Sequence, residues 1–71
     1  MRNDVIVQFS KRLRQLRRAH RYSQLELSEL SDIEYKHVQR LESKRPCDVK
    51  LTTLDKLARA FKIPLSKLLT F

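Results

Sequence analysis

The 71-residue chain contains no glycine, no tryptophan, two prolines and one cysteine. Without glycine there is no Asn-Gly or Asp-Gly hairpin turn, and no glycine-rich loop to cradle a nucleotide phosphate. One cysteine excludes an internal disulfide and a multi-cysteine zinc site. That residue, Cys47, lies in a polar stretch beside Asp48, whose charge disfavours a thiolate nucleophile. The two histidines, His20 and His37, fall in different predicted helices, with no acid–histidine pattern near a nucleophile. An enzyme is therefore not expected, nor a metal or a cofactor. No apolar run approaches the about 18 residues of a membrane span. The start, Met1-Arg2-Asn3-Asp4-Val5, does not read as a signal peptide, so a reducing, cytoplasmic setting is expected.

What is present is charge. Lysine and arginine exceed the acids to give a net charge of +8, which favours nucleic acid, an anionic membrane surface or an acidic protein. Residues 1–21 carry a balance of +6, residues 22–43 a balance of −3 and residues 44–71 a balance of +5. Basic character thus flanks a central acidic stretch instead of forming one tail, as suits a folded surface that meets an extended polyanion at several points. The hydrophobic share of 41% is enough for a core. A chain this short buries only about 60% of its extended surface on folding, so one small domain over 1–71 is expected and a deep active site is not.

The apolar spacing is helical throughout, with no strand-like alternation. Val5, Ile6, Phe9, Leu13 and Leu16 mark one face of a first helix from about Asn3 to Ala19. That helix also has a basic side, the feature a membrane-surface binder would need, but its apolar face is better explained by a core. Ser23-Gln24-Leu25-Glu26 is a capping box, with Tyr22 and Leu27 placed for a hydrophobic staple. The spacing predicts a second helix over about 24–30, with Leu27 and Leu30 inward. A turn at Ser31-Asp32-Ile33-Glu34 leads to a third helix over about 35–42, with Val38 and Leu41 inward. After a polar connection containing Pro46, Thr52 can cap a fourth helix that buries Leu54, Leu57, Ala58 and Phe61. Pro64 opens a fifth short helix carrying Leu65, Leu68 and Leu69 and running to Phe71.

Gln24 to Leu41 has the spacing of a helix-turn-helix, in which two short helices cross steeply over a tight turn. Leu27, Ile33, Val38 and Leu41 are apolar where the packing needs it, and Ser28 is small where the helices meet. Ser31 stands where an apolar residue is usual. Asp32 stands where glycine is typical, though aspartate tolerates positive φ better than most residues.

With Arg14-Gln15-Leu16-Arg17-Arg18-Ala19, Tyr22-Ser23-Gln24-Leu25-Glu26-Leu27, Val38-Gln39-Arg40-Leu41-Glu42, the run Thr53 to Ile63 and Leu65-Ser66-Lys67-Leu68-Leu69, the chain resembles the phage-repressor/Cro-type (XRE) helix-turn-helix family over about residues 8–70. The resemblance implies an all-α, five-helix, lambda-repressor-like DNA-binding domain, with the helix-turn-helix at helices 2 and 3. It implies a transcriptional regulator of the kind found among restriction-modification controller proteins, small phage repressors and antitoxins. It also implies an ion pair between Arg17 and Glu42, and a phosphate-contacting glutamine at Gln24. The glycine usual after Glu42 is missing.

At about 100° per residue, Val38 and Leu41 set the buried side of the third helix and leave Lys36 nearly opposite. Gln39 and Arg40 flank Lys36, Tyr35 is at the edge and His37 leans toward the core. Tyr35, Lys36, Gln39 and Arg40 are the expected base contacts. Lys36 and Arg40 can donate to guanine O6 and N7, and Tyr35 can meet a thymine methyl or a phosphate. Gln24, Arg14, Arg18, Lys44 and Arg45 are expected on phosphates, with Arg21 a further candidate; such contacts position without reading sequence. Leu69 and Phe71 are expected in a homodimer interface facing their own copies. The expected partner is double-stranded DNA, at the nucleoid and not at a membrane. RNA polymerase, meeting Glu26, Glu29 and Glu34, or a toxin held by an antitoxin-type binding module, are the other partners considered.

Overall fold

A computed structural model describes residues 4–71, and over them the chain forms five helices in order. These are α1 (Asp4–Ala19), α2 (Gln24–Ser31), α3 (Tyr35–Leu41), α4 (Leu51–Phe61) and α5 (Leu65–Leu68). The predicted start at Asn3 lies outside the described residues. Every helix sends a fully buried apolar side chain into one core: Leu13 from α1, Leu27 from α2, Val38 and Leu41 from α3, Leu57 and Phe61 from α4, and Leu68 from α5. That shared core explains why helices of four to eight residues persist, since alone they would be marginal in water. α2 packs on both α3 and α4, so the helix pair is supported from behind.

Three helices close alike despite the absence of glycine. Arg21, Asp32 and Lys62 take the left-handed conformation, with φ of 59°, 60° and 59°. In each case the next residue donates its amide back across the turn: Tyr22 to Arg17 O (3.0 Å), Ile33 to Ser28 O (3.2 Å) and Ile63 to Ala58 O (3.0 Å). These are Schellman closures, and an apolar residue after the left-handed position packs back on the core.

Several expectations are corrected. Leu30, expected inward, is 55% exposed, and Ser31 takes its place at 4%. Ser31 lies one turn after Leu27 on the buried stripe, and burial is tolerated because its hydroxyl donates to Leu27 O at 2.6 Å. Val5 is exposed at the start of α1. Thr52 does not cap α4: the cap position is Lys50, with no side-chain bond, and Thr52 is the second helical residue. α3 ends at Leu41 with Glu42 as its cap, and α5 ends at Leu68, short of Phe71.

Candidate nucleic-acid interface

The local chemistry of α2 sets where the helix pair begins. The Ser23 hydroxyl accepts the Glu26 amide at 3.0 Å, and the Ser23 amide donates to Glu26 Oε1 at 2.8 Å. This reciprocal box fixes Gln24 as the first helical residue.

α3 has a divided surface. Val38 and Leu41 are buried, whereas Tyr35, Lys36, Gln39 and Arg40 are exposed. Among the described residues, none of these four side chains makes a hydrogen bond or an ion pair. The N-terminal end is equally open, for Glu34 provides no side-chain cap. Four donor-bearing side chains therefore share one uncommitted face of a helix short enough to enter a major groove.

The other end of α3 is tied down. The Glu42 side chain is 1% exposed and faces an Arg17 side chain that is 14% exposed. Arg17 donates from Nε to Oε2 at 2.7 Å and from Nη2 to Oε1 at 2.9 Å, a bidentate pair. Its Nη1 donates to Tyr22 O at 2.9 Å, so the same guanidinium also braces the turn before α2. Gln24 Nε2 donates to Glu42 Oε1 at 3.0 Å, and Arg14 Nη1 to the Glu42 carbonyl at 2.6 Å. The structure thus brings together Arg14, Arg17, Gln24 and Glu42. Sequence reasoning assigned Gln24 and Arg14 to phosphates and did not see that both also hold the end of α3. Their spacing from Glu42, 18 and 28 residues, gives no local signal for it.

The remaining cations lie around this anchor. Arg18, Lys44 and Arg45 are exposed. Lys44 lines a 230 Å³ notch with Val7, Ser10, Lys11, Arg14, Ser43 and Pro46. Lys11 was not singled out in the sequence, although its three-residue spacing from Arg14 places both on one side of α1. On another part of the surface, Leu69 (39% exposed) and Phe71 (51%) line an apolar groove of 430 Å³ with Val5, Ile6, Phe9, Val49 and Leu54. The Phe71 ring lies 6.5 Å from that of Phe9.

Other candidates have structural roles. His20 donates from Nδ1 to Leu16 O at 2.9 Å, and its ring centroid is 4.9 Å from that of Phe61. Cys47 is half-buried against the core. Among the described residues, no three His, Cys, Asp or Glu side chains gather as metal ligands. No helix there is long and apolar enough to cross a membrane.

Comparison with known proteins agrees with this geometry. Residues 12–71 match the model of the Cro/C1-type HTH DNA-binding domain. The fold is similar to the crystal structure of the restriction-modification controller protein C.AhdI from Aeromonas hydrophila. The TM-score is 0.82 at 36% identity, covering 89% of this chain and 94% of that one. Comparison with curated protein sequences gives no match. The chain belongs to the Cro/C1-type helix-turn-helix DNA-binding family and is a DNA-binding transcription regulator.

Proposed function

We propose that the protein acts as a homodimer on a roughly palindromic operator, each copy reading one half-site through α3. The observation that carries this reading is the face of α3 formed by Tyr35, Lys36, Gln39 and Arg40, which is exposed and makes no side-chain bond among the described residues. Lys36 and Arg40 read guanine, Arg40 bidentately, while Tyr35 and Gln39 supply apolar and amide contacts. Gln24, Arg14, Arg18, Lys44 and Arg45 hold phosphates. Successive half-sites lie about 34 Å apart, which exceeds the longest dimension of one chain, 32 Å. One chain does not span two such half-sites, which supports a pair of copies, and the apolar groove bordered by Leu69 and Phe71 is the surface on which they meet. The likeness to a restriction-modification controller favours control of such a system over the phage-repressor role.

A second reading, with a protein partner such as a toxin or RNA polymerase, is supported by one surface. α2 leaves Leu25 and Leu30 exposed beside Glu26 and Glu29, an apolar and acidic face in a strongly basic chain.

Selection of bound duplexes from a random library at about 150 mM salt tests the principal reading. Paired half-sites centred about 10 base pairs apart are expected. Salt-sensitive binding with no enriched sequence would overturn it in favour of the protein partner. Sedimentation of Leu69→Lys tests the interface, and an unchanged dimer fraction would remove Leu69 from it.

A further inference from the structure

We propose that the notch between α1 and the segment after α3 is a single seat for one phosphodiester of the bound duplex, and that Lys11 is one of the residues that holds it. This rests on the DNA-binding reading and deepens it, from separate cations to one site.

The notch gathers three cationic side chains: Lys11 and Arg14 from one side of α1, and Lys44 from the chain just beyond α3. The hydroxyl-bearing Ser10 and Ser43 complete its polar wall, and among the described residues no acid lines it. The nearest carboxylate in sequence, Glu42, is taken up by Arg17 and Gln24. Three like charges border one 230 Å³ notch, an arrangement whose mutual repulsion a bound anion would relieve.

The end of a helix ordinarily repels phosphate through its free carbonyls. Here Arg14 removes that obstacle by donating Nη1 to the Glu42 carbonyl at 2.6 Å, with a longer contact of 3.4 Å to Ser10 Oγ. Among the described residues its Nε and Nη2 edge has no partner, and that edge presents the paired donors that match two phosphate oxygens. Ser43 and Lys44 follow directly on the turn that carries Arg40, so the seat lies beside the base-reading face. Because Arg14 touches both the seat and the end of α3, a phosphate held there also fixes how α3 leaves the groove.

The test compares wild type with Lys11→Gln, Lys44→Gln, the double variant and Lys56→Gln. The last makes the same charge change on the exposed surface of α4, outside the notch. Duplex affinity is followed across a salt series. Lys11→Gln and Lys44→Gln should each lower the slope of log affinity against log salt by up to about 0.9. The double variant should lose clearly less than the two losses added, because both residues serve one phosphate, and Lys56→Gln should stay near wild type. On the selected duplex, replacing phosphates one at a time with neutral methylphosphonates should give one position per half-site that weakens wild type yet adds little to either variant. A Lys11→Gln slope equal to that of Lys56→Gln overturns the proposal, as do losses from Lys11 and Lys44 that simply add or map to different phosphates. Wild type that shows no salt-dependent duplex binding would instead defeat the DNA-binding reading itself.

Discussion

The two ends of α3 are built on opposite terms. At the start and along the outer face, Tyr35, Lys36, Gln39 and Arg40 are exposed and hold no partner among the described residues. At the other end, Glu42 is buried and gripped by Arg17, Gln24 and Arg14 from two other helices. A reading helix needs both. Side chains spent on internal bonds would have to break them before meeting a base, and a helix of seven residues cannot hold its own angle. Fixing one end through charged, geometrically demanding bonds leaves the other free to be specified by the base sequence.

Glu42→Ala should therefore have the largest effect, and on stability more than on reading. It leaves the Arg17 guanidinium largely buried without its counter-charge, a loss of about 3–5 kcal/mol when a buried pair is broken from one side. For a domain of this size that is a large fraction of the whole folding free energy. Thermal unfolding measures it, and a melting temperature equal to wild type would show that the anchor is not the source of order at this end. Glu42→Gln, which keeps the shape and one carbonyl acceptor, should fall between the two.

Arg40→Ala should do the reverse. Arg40 is exposed and its side chain is unbonded, so stability should stay within about 0.5 kcal/mol, as for surface changes. Binding to the selected operator should weaken by about 1–3 kcal/mol, with preference relaxed at one base position. Equal loss on every duplex would move Arg40 from the reading end to the phosphate set.

Gln24→Ala crosses the two ends. The amide donates to Glu42 at 3.0 Å while the residue opens α2, so it belongs to the anchor and to the expected phosphate contacts at once. Loss of a hydrogen bond from a half-buried amide to the buried Glu42 carboxylate, which keeps both bonds from Arg17, should cost about 1.5 kcal/mol of stability, and duplex affinity should fall without a change in base preference. A change in preference would show that the anchor transmits to the reading face.

The exposed outer face of α3 was legible in the sequence and the anchor only in part. Val38 and Leu41 face inward three residues apart, so helical periodicity alone turned Lys36 and Arg40 outward. The Arg17–Glu42 pair came from family resemblance, not from spacing, because its partners lie 25 residues apart. The bonds from Gln24 and Arg14 had no signature at all: they depend on how α1 and α2 meet the end of α3, which is a property of the packed core. Ser31 shows a different failure. Its hydroxyl looked wrong for a buried position, and Leu30 looked right; a bond to Leu27 O reversed both. Thr52 matched the chemistry of a cap, yet the helix begins one residue before it.

The smallest expected effect concerns the turn that delivers α3. Asp32 sits at φ 60° and lets the Ile33 amide reach Ser28 O, which sets the direction in which α3 starts. Asp32→Gly removes the left-handed cost but loosens the unfolded chain, and the two nearly cancel, so a change within about 0.5 kcal/mol is expected. Asp32→Ala keeps a Cβ without the side-chain oxygen that eases this conformation and should lose about 1 kcal/mol, roughly 4–8 °C in melting temperature. Neither should alter base preference, because the angle of α3 is held from its far end by Glu42. Duplex selection with Asp32→Ala decides the point. A shifted preference in a variant that is still folded would mean that the turn, and not the buried anchor, aims the reading face.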